Sequence, residues 1–129
     1  MNVLILGSGG REHAFALKLS QSNKIKQLFV APGNAGTHKI ATNISINPTD
    51  FQAVKNTVVK NNIQMVVVGP EAPLVEGIHD FFLADADLKK IPVIGPKKDG
   101  ALLEGSKDFS KQFMQKHGVP TAKYQSFTK

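Results

Sequence analysis

The sequence predicts an α/β fold, a doubly wound and mainly parallel sheet with helices on both faces. Three observations carry that expectation. Short β-rich apolar runs stand at 3–6, 27–31, 65–68 and 91–94, and a continuous apolar run of that length reads as a strand buried on both faces. Stretches with apolar residues at helical spacing alternate with them. The runs end in glycine or proline punctuation at Gly7, Pro32-Gly33, Gly69-Pro70 and Gly95-Pro96. Strands alternating with helices argue for a parallel sheet wound in both directions.

Val3-Leu4-Ile5-Leu6 is the first strand, stopped by Gly7. Arg11 to about Ser20 follows as a helix, with Ala14, Leu17 and Phe15 or Ala16 turned inward. Gln27 to Ala31 is the second strand and Ile44 to Ile46 a brief third. Thr49 can cap a helix from Asp50 to about Asn61, in which Phe51, Val54 and Val58 recur at helical spacing. Met65 to Val68 is the clearest strand. Leu74 to Leu83 reads as a helix and Ile91 to Ile94 as the last strand of the sheet. Ligands of such folds collect beyond the carboxyl ends of the strands, so the loops at 7–10, 33–36 and 69–77 are expected to gather into one site.

The character changes after Gly95. Ser106 to His117 reads as an amphipathic helix capped by Ser106 and stopped by Gly118 and Pro120. Ala122 to Phe127 reads as the start of another strand. Residues 1–102 are therefore expected to form one domain, and 103–129 the linker and first elements of a second.

Composition narrows the function classes. With 41% hydrophobic residues among 129, the chain can bury a core. No apolar run approaches the length of a bilayer span, and the first residues lack the basic region of a signal peptide. Cysteine is absent, which excludes disulfides and thiolate metal sites and agrees with a reducing cytoplasm. The net charge is +6, carried by fifteen lysines spread along the chain and one arginine, Arg11. Dispersed lysine fits a solvated surface. With so little arginine and no basic run interleaved with aromatics, nucleic-acid binding is not expected. His13 reads as packing or loop support. His38, His79 and His117 lack a second ligand at metal spacing, so no metal site is expected.

Three loops can carry recognition. Gly7-Ser8-Gly9-Gly10-Arg11-Glu12 follows a strand and opens a helix, a setting that brings backbone close to a ligand and points free amides at it. It departs from the dinucleotide fingerprint, since Glu12 stands where the third glycine belongs and no acidic residue ends the second strand. In Pro32-Gly33-Asn34-Ala35-Gly36, Asn34 suits sugar hydroxyls or an amine, and equally suits capping its own turn. In Val68-Gly69-Pro70-Glu71-Ala72-Pro73-Leu74, Glu71 can accept hydrogen bonds from a ribose diol or an ammonium, or can cap the next helix.

Taken together these segments resemble the glycinamide ribonucleotide synthetase family, the phosphoribosylamine–glycine ligases. Gly-Ser-Gly-Gly-Arg-Glu-His-Ala at 7–14 is similar to the family's N-terminal signature. Pro-Gly-Asn-Ala-Gly at 32–36 and Val-Gly-Pro-Glu-Ala-Pro-Leu at 68–74 are similar to its next two motifs. Glu-Gly-Ser-Lys-Asp-Phe-Ser-Lys at 104–111, with Gly118-Val119-Pro120-Thr121-Ala122, resembles its entry into the ATP-grasp region. Four motifs in the same order are more specific than any one glycine loop.

The resemblance implies a Rossmann-like, pre-ATP-grasp N-domain followed by the start of an ATP-grasp domain. It implies a cytoplasmic ligase that joins glycine to 5-phosphoribosylamine with hydrolysis of ATP to ADP and phosphate, in purine biosynthesis. The phosphoribosylamine is assigned to Gly9, Gly10, Arg11, Glu12, Asn34 and Glu71, with Glu71 on the ribose hydroxyls. Lys107 matches a lysine near the nucleotide phosphates, although by itself it reads as a helix-surface lysine. ATP and Mg2+ or Mn2+ would be held mainly by residues outside these 129, which include no catalytic or metal-ligating candidate. The chain alone is therefore expected to be inactive. Two alternatives stay open: the N-domain of another ATP-grasp ligase or carboxylase, and a stand-alone Rossmann-like binding module.

Overall fold

Five parallel strands form the sheet in the computed structural model, which describes residues 1–127. They are β1 Asn2–Gly7, β2 Gln27–Pro32, β3 Thr42–Asn43, β4 Met65–Val68 and β5 Val93–Ile94. Their spatial order is β3-β2-β1-β4-β5. The chain winds outward from β1 through β2 to β3, then returns to lay β4 against the other side of β1. Loops leaving β1 and β4 at their carboxyl ends therefore diverge, which opens a crevice between them.

Strand periodicity explains the two cores. Leu4, Leu6, Phe29, Ala31, Val66 and Val68 face one side of the sheet, where Val54, Val58, Leu74, Ile78 and Phe82 cover them. Val3, Ile5, Leu28 and Val30 face the other side, against Ala16. Alternate residues of one strand thus enter different cores, and both must be apolar. Each buried Val, Leu, Ile or Phe among them contributes about 1.5–3 kcal/mol by leaving water. Helix α1 (Gly10–Ser20) covers the second face over β1 and β2. Beyond it Met65 and Val67 are half-buried and Ile94 is exposed.

Several elements differ from the sequence reading for identifiable reasons. In α1 the inward residues are Glu12 and Ala16, while Ala14, Phe15 and Leu17 are exposed. The loop before the helix sets its phase by drawing a carboxylate inward, which apolar spacing does not reveal. Helix α2 (Phe51–Lys60) is capped by Asp50, whose carboxylate accepts the Ala53 N–H at 3.0 Å, and not by Thr49. The third strand is Thr42–Asn43, and Ile44 and Ile46 follow it as half-buried residues against the first core.

The helix read at 74–83 is two helices, α3 Glu71–Glu76 and α4 Ile78–Ala84. Gly77 breaks them with φ of 101°, a left-handed conformation open to glycine at little steric cost. Helix α5 (Lys98–Gly105) has no counterpart in the sequence reading. Only Ala101 on it is buried, and its first-turn Lys98 N–H is satisfied by Asp80, eighteen residues earlier. Neither apolar period nor local cap marks it.

Helix α6 (Lys107–Lys116) is capped by the Ser106 hydroxyl as expected. No residue of α6 is fully buried, and Phe109 and Phe113 are exposed. Residues 122–127 form no strand. They lie back along α6, where Lys111 Nζ donates to Thr121 Oγ1 at 2.6 Å and the Tyr124 hydroxyl donates to Gln115. A strand needs a neighbour to pair with its backbone, and the described residues offer none there. The last two residues of the 103–129 expectation lie outside the described residues.

One charged tie links α2 to the turn after α4. Lys55 Nζ lies 2.6 Å from Asp85 Oδ2 and 3.0 Å from Asp87 Oδ2. Hydrogen bonding to both carboxylates holds the Lys55 ammonium above its ordinary range. The bond from Lys55 holds Asp85 below the usual carboxylate range. A lowered acid stabilises the fold above its unfolded value, and this is lost as pH falls through the folded one. A raised lysine stabilises below its unfolded value, and this is lost as pH climbs through the folded one. Asp85→Asn should therefore lower the melting temperature at about pH 7, and the difference should shrink as pH falls from about 4 to about 2, towards protonation of the Asp85 carboxylate. Thermal unfolding by circular dichroism at these pH values checks this.

Candidate ligand cleft at the β1–β4 crevice

The loops after β1, β2 and β4 come together at the carboxyl edge of the sheet, as the strand-end rule anticipates. Backbone bonds start the assembly: Gly33 N–H donates to Gly7 O and Gly69 N–H to Leu6 O, each at 3.1 Å. Side chains complete it. Arg11 Nη1 donates to the Gly69 carbonyl at 2.5 Å, which joins the first loop to the third. Asn34 Nδ2 donates to Ser8 O at 2.8 Å, which joins the second loop to the first. Asn34 Oδ1 accepts the N–H groups of Gly36 and Thr37 at 2.8 and 3.0 Å. Both functional ends of Asn34 are thus spent inside the protein. Its turn-capping reading is the one seen, with the bridge to Ser8 added.

Glu12 is the least expected of these residues. It is 5% exposed, and its Oε2 accepts the Gly9 N–H at 2.6 Å. That bond is the returning half of a capping box, the arrangement in which an acid three residues into a helix satisfies the N-cap amide. The positive end of α1 adds favourable charge at the same place. The carboxylate lies between the ends of β1 and β4, so a side chain at Gly7 or Gly69 would drive into it. Gly7 also needs glycine for its φ of 124°, whereas at Gly69 close approach alone excludes a larger residue. Nearby, the His13 ring packs against Gly36 and supports the second loop.

A cleft of about 360 Å³ opens above this floor. It is lined by Gly7, Ser8 and Gly9 with Glu12 from the first loop, and by Pro70, Ala72 and Pro73 from the third. A third wall comes from Asn47, Pro48 and Thr49, between β3 and α2. Thr49 Oγ1 donates to Asn47 Oδ1 at 3.0 Å and holds that turn. Sequence reasoning did not nominate this wall. The Asn47-Pro48 pair, a turn dipeptide a few residues beyond β3, is the sequence signal for it, and it carries no glycine to mark a strand-end loop.

Of the residues nominated from the sequence, Gly9 and Glu12 line the cleft. Gly10 and Arg11 open α1 at its border. Asn34 holds the border from behind. Glu71 is the first residue of α3, exposed, between the lining residues Pro70 and Ala72. Lys107 is elsewhere: it lines a separate cavity with Asp108, Lys111 and the segment 124–127. Among the described residues no three His, Asp or Glu side chains come together as metal ligands. Among the described residues no helix is long and apolar enough to cross a membrane.

The fit of Glu12 under Gly69 makes a direct prediction. Gly69→Ala should cost about 1–3 kcal/mol, as overpacking of a tight interior does. In a Glu12→Ala background the same change should cost much less, because the obstructing carboxylate is gone. Urea unfolding of the two single variants and the double variant measures this coupling.

Comparison with known proteins agrees with these features. The family model described as phosphoribosylglycinamide synthetase, N domain, matches residues 1–104. A phosphoribosylamine–glycine ligase of Rhodopirellula baltica is 51% identical over 126 residues, covering 98% of this chain and 28% of that protein. The enzyme of that name from Escherichia coli K12 is 48% identical over 130 residues, covering 99% and 29%. A crystal structure of phosphoribosylamine–glycine ligase from Thermotoga maritima superposes with a TM-score of 0.64 at 32% identity, over 95% of this chain and 26% of that one. The chain thus spans less than a third of the length of these relatives. With the family model covering most of it, the chain belongs to the phosphoribosylglycinamide synthetase N-domain family.

Proposed function

We propose that this chain is the N-terminal, phosphoribosylamine-binding part of an ATP-dependent ligase joining glycine to 5-phosphoribosylamine in cytoplasmic purine biosynthesis. The observation that carries the reading is the cleft at the β1–β4 crevice, floored by the Gly7–Glu12 loop, in a member of this family. Residues 1–102 form the binding domain in this reading, and 103–129 open an ATP-grasp domain. Gly9 and Gly10 let the ligand approach the backbone. Arg11, Glu12 and Asn34 hold the three loops in register. Glu71, exposed beside the lining residues, takes the ribose hydroxyls as a charge-assisted acceptor.

Among the described residues no group of His, Asp or Glu side chains is placed to hold a Mg2+ or Mn2+ ion, so the metal is assigned to residues outside these 129. ATP, when bound, supplies the phosphoryl group that activates the glycine carboxylate. Lys107, at the first position of α6, is assigned to its phosphates. The task of the chain's own residues is to hold phosphoribosylamine so that its amine is presented to the activated carboxylate. Fixing that orientation replaces an encounter in solution with a positioned attack.

Two measurements test this. Incubated with ATP, magnesium, glycine and phosphoribosylamine, the chain alone should release no ADP. Turnover typical of a complete ligase would contradict the assignment of the nucleotide and metal machinery to residues outside it. Calorimetric titration with ribose 5-phosphate, a stable stand-in, should show binding that Glu71→Gln weakens about ten-fold. Melting temperature should stay unchanged, since α3 has no side-chain cap. A stability loss of about 1 kcal/mol with unchanged affinity would instead assign Glu71 to the helix terminus.

A further inference from the structure

Helix α1 begins as pyrophosphate-binding helices do, with a parallel strand, a glycine loop and a helix start whose first amides lack intrahelical partners. Yet the seat is filled from inside. The Gly9 N–H already donates to Glu12 Oε2 at 2.6 Å. The Glu12 carboxylate lines the floor of the cleft at 5% exposure, between Gly7 and Gly69. A pyrophosphate placed there would set its charge against a carboxylate shielded from water, where like charges repel far more than in solvent. Position 12 is where Gly-x-Gly-x-x-Gly carries its third glycine, so one side chain removes a donor, adds an opposing charge and fills the space. Asn34, whose amide oxygen accepts from Gly36 and Thr37 and whose amide nitrogen donates to Ser8 O and, at 3.4 Å, to Gly9 O, is turned to the loops and does not line the cleft.

We propose that Glu12 is a specificity-determining residue that shuts pyrophosphate-bearing ligands, dinucleotides included, out of the cleft. A ligand facing this floor must present hydrogen-bond donors, hydroxyl or amine, and carry any phosphate elsewhere. The inference does not depend on which sugar the cleft accepts, so failure of ribose 5-phosphate to bind would touch the earlier reading alone.

Glu12→Gln keeps the length of the side chain and an acceptor for the Gly9 N–H while removing the charge. By calorimetry on the full chain, the Gln variant should bind inorganic pyrophosphate and ADP-ribose at least about ten-fold more tightly than the unaltered chain. Circular dichroism establishes that the variant is folded. If it is not, Glu12→Gly, which completes the glycine spacing, is judged by the same criterion. A folded variant with no gain would overturn the proposal. So would an unaltered chain that binds ADP-ribose with a Kd of about 1 μM or tighter, and that arm requires no substitution to fold.

Discussion

The buried carboxylate of Glu12 is the constraint on which the carboxyl edge of the sheet depends. It ties the first turn of α1 to Gly9 and lies between the ends of β1 and β4. That position fixes the rotation of α1, which in turn decides that Ala16 meets the sheet while Phe15 and Leu17 do not. It also explains why the third loop begins with glycine. Placing a carboxylate away from water is costly unless it is hydrogen-bonded and favourably placed in charge. The Gly9 amide and the positive end of α1 meet that requirement. Arg11 and Asn34 then tie the neighbouring loops into the same unit.

Much of the fold was legible because parallel strands buried on both faces leave continuous apolar runs. β1, β2 and β4 fall where those runs fall, and their glycine or proline ends mark where the chain turns. What was not legible depends on contacts remote in sequence. Asp80 satisfies the start of α5 from another helix. Gly77 divides one apolar pattern into two helices by a left-handed residue, which periodicity passes over. The inward face of α1 was misread because a charged residue, not an apolar one, sets it. Residues 122–127 have the composition of a strand but lie along α6, where no strand pairs with them.

The site was legible in part for the same reason. Strand-end loops could be placed together from topology alone, and the motifs picked out Gly9, Arg11, Glu12 and Asn34. Their roles could not be read, because whether a polar group faces a ligand or its own backbone depends on hydrogen bonds made in the folded chain. Asn34 turned out to be wholly engaged internally. The Asn47–Thr49 wall was missed because β3 is only two residues long and its end carries no glycine.

In the proposed reading the chain supplies the surface that holds a small phosphorylated sugar amine, and the remaining chemistry is assigned beyond it. The most direct test is amide chemical-shift mapping of the 15N-labelled chain during titration with ribose 5-phosphate. The account predicts that the perturbed amides cluster at Ser8 to Glu12, at Asn47 and Thr49, and at Glu71 and Ala72. Perturbations confined to α6 and the segment 119–127, or none at saturating sugar phosphate, would contradict it.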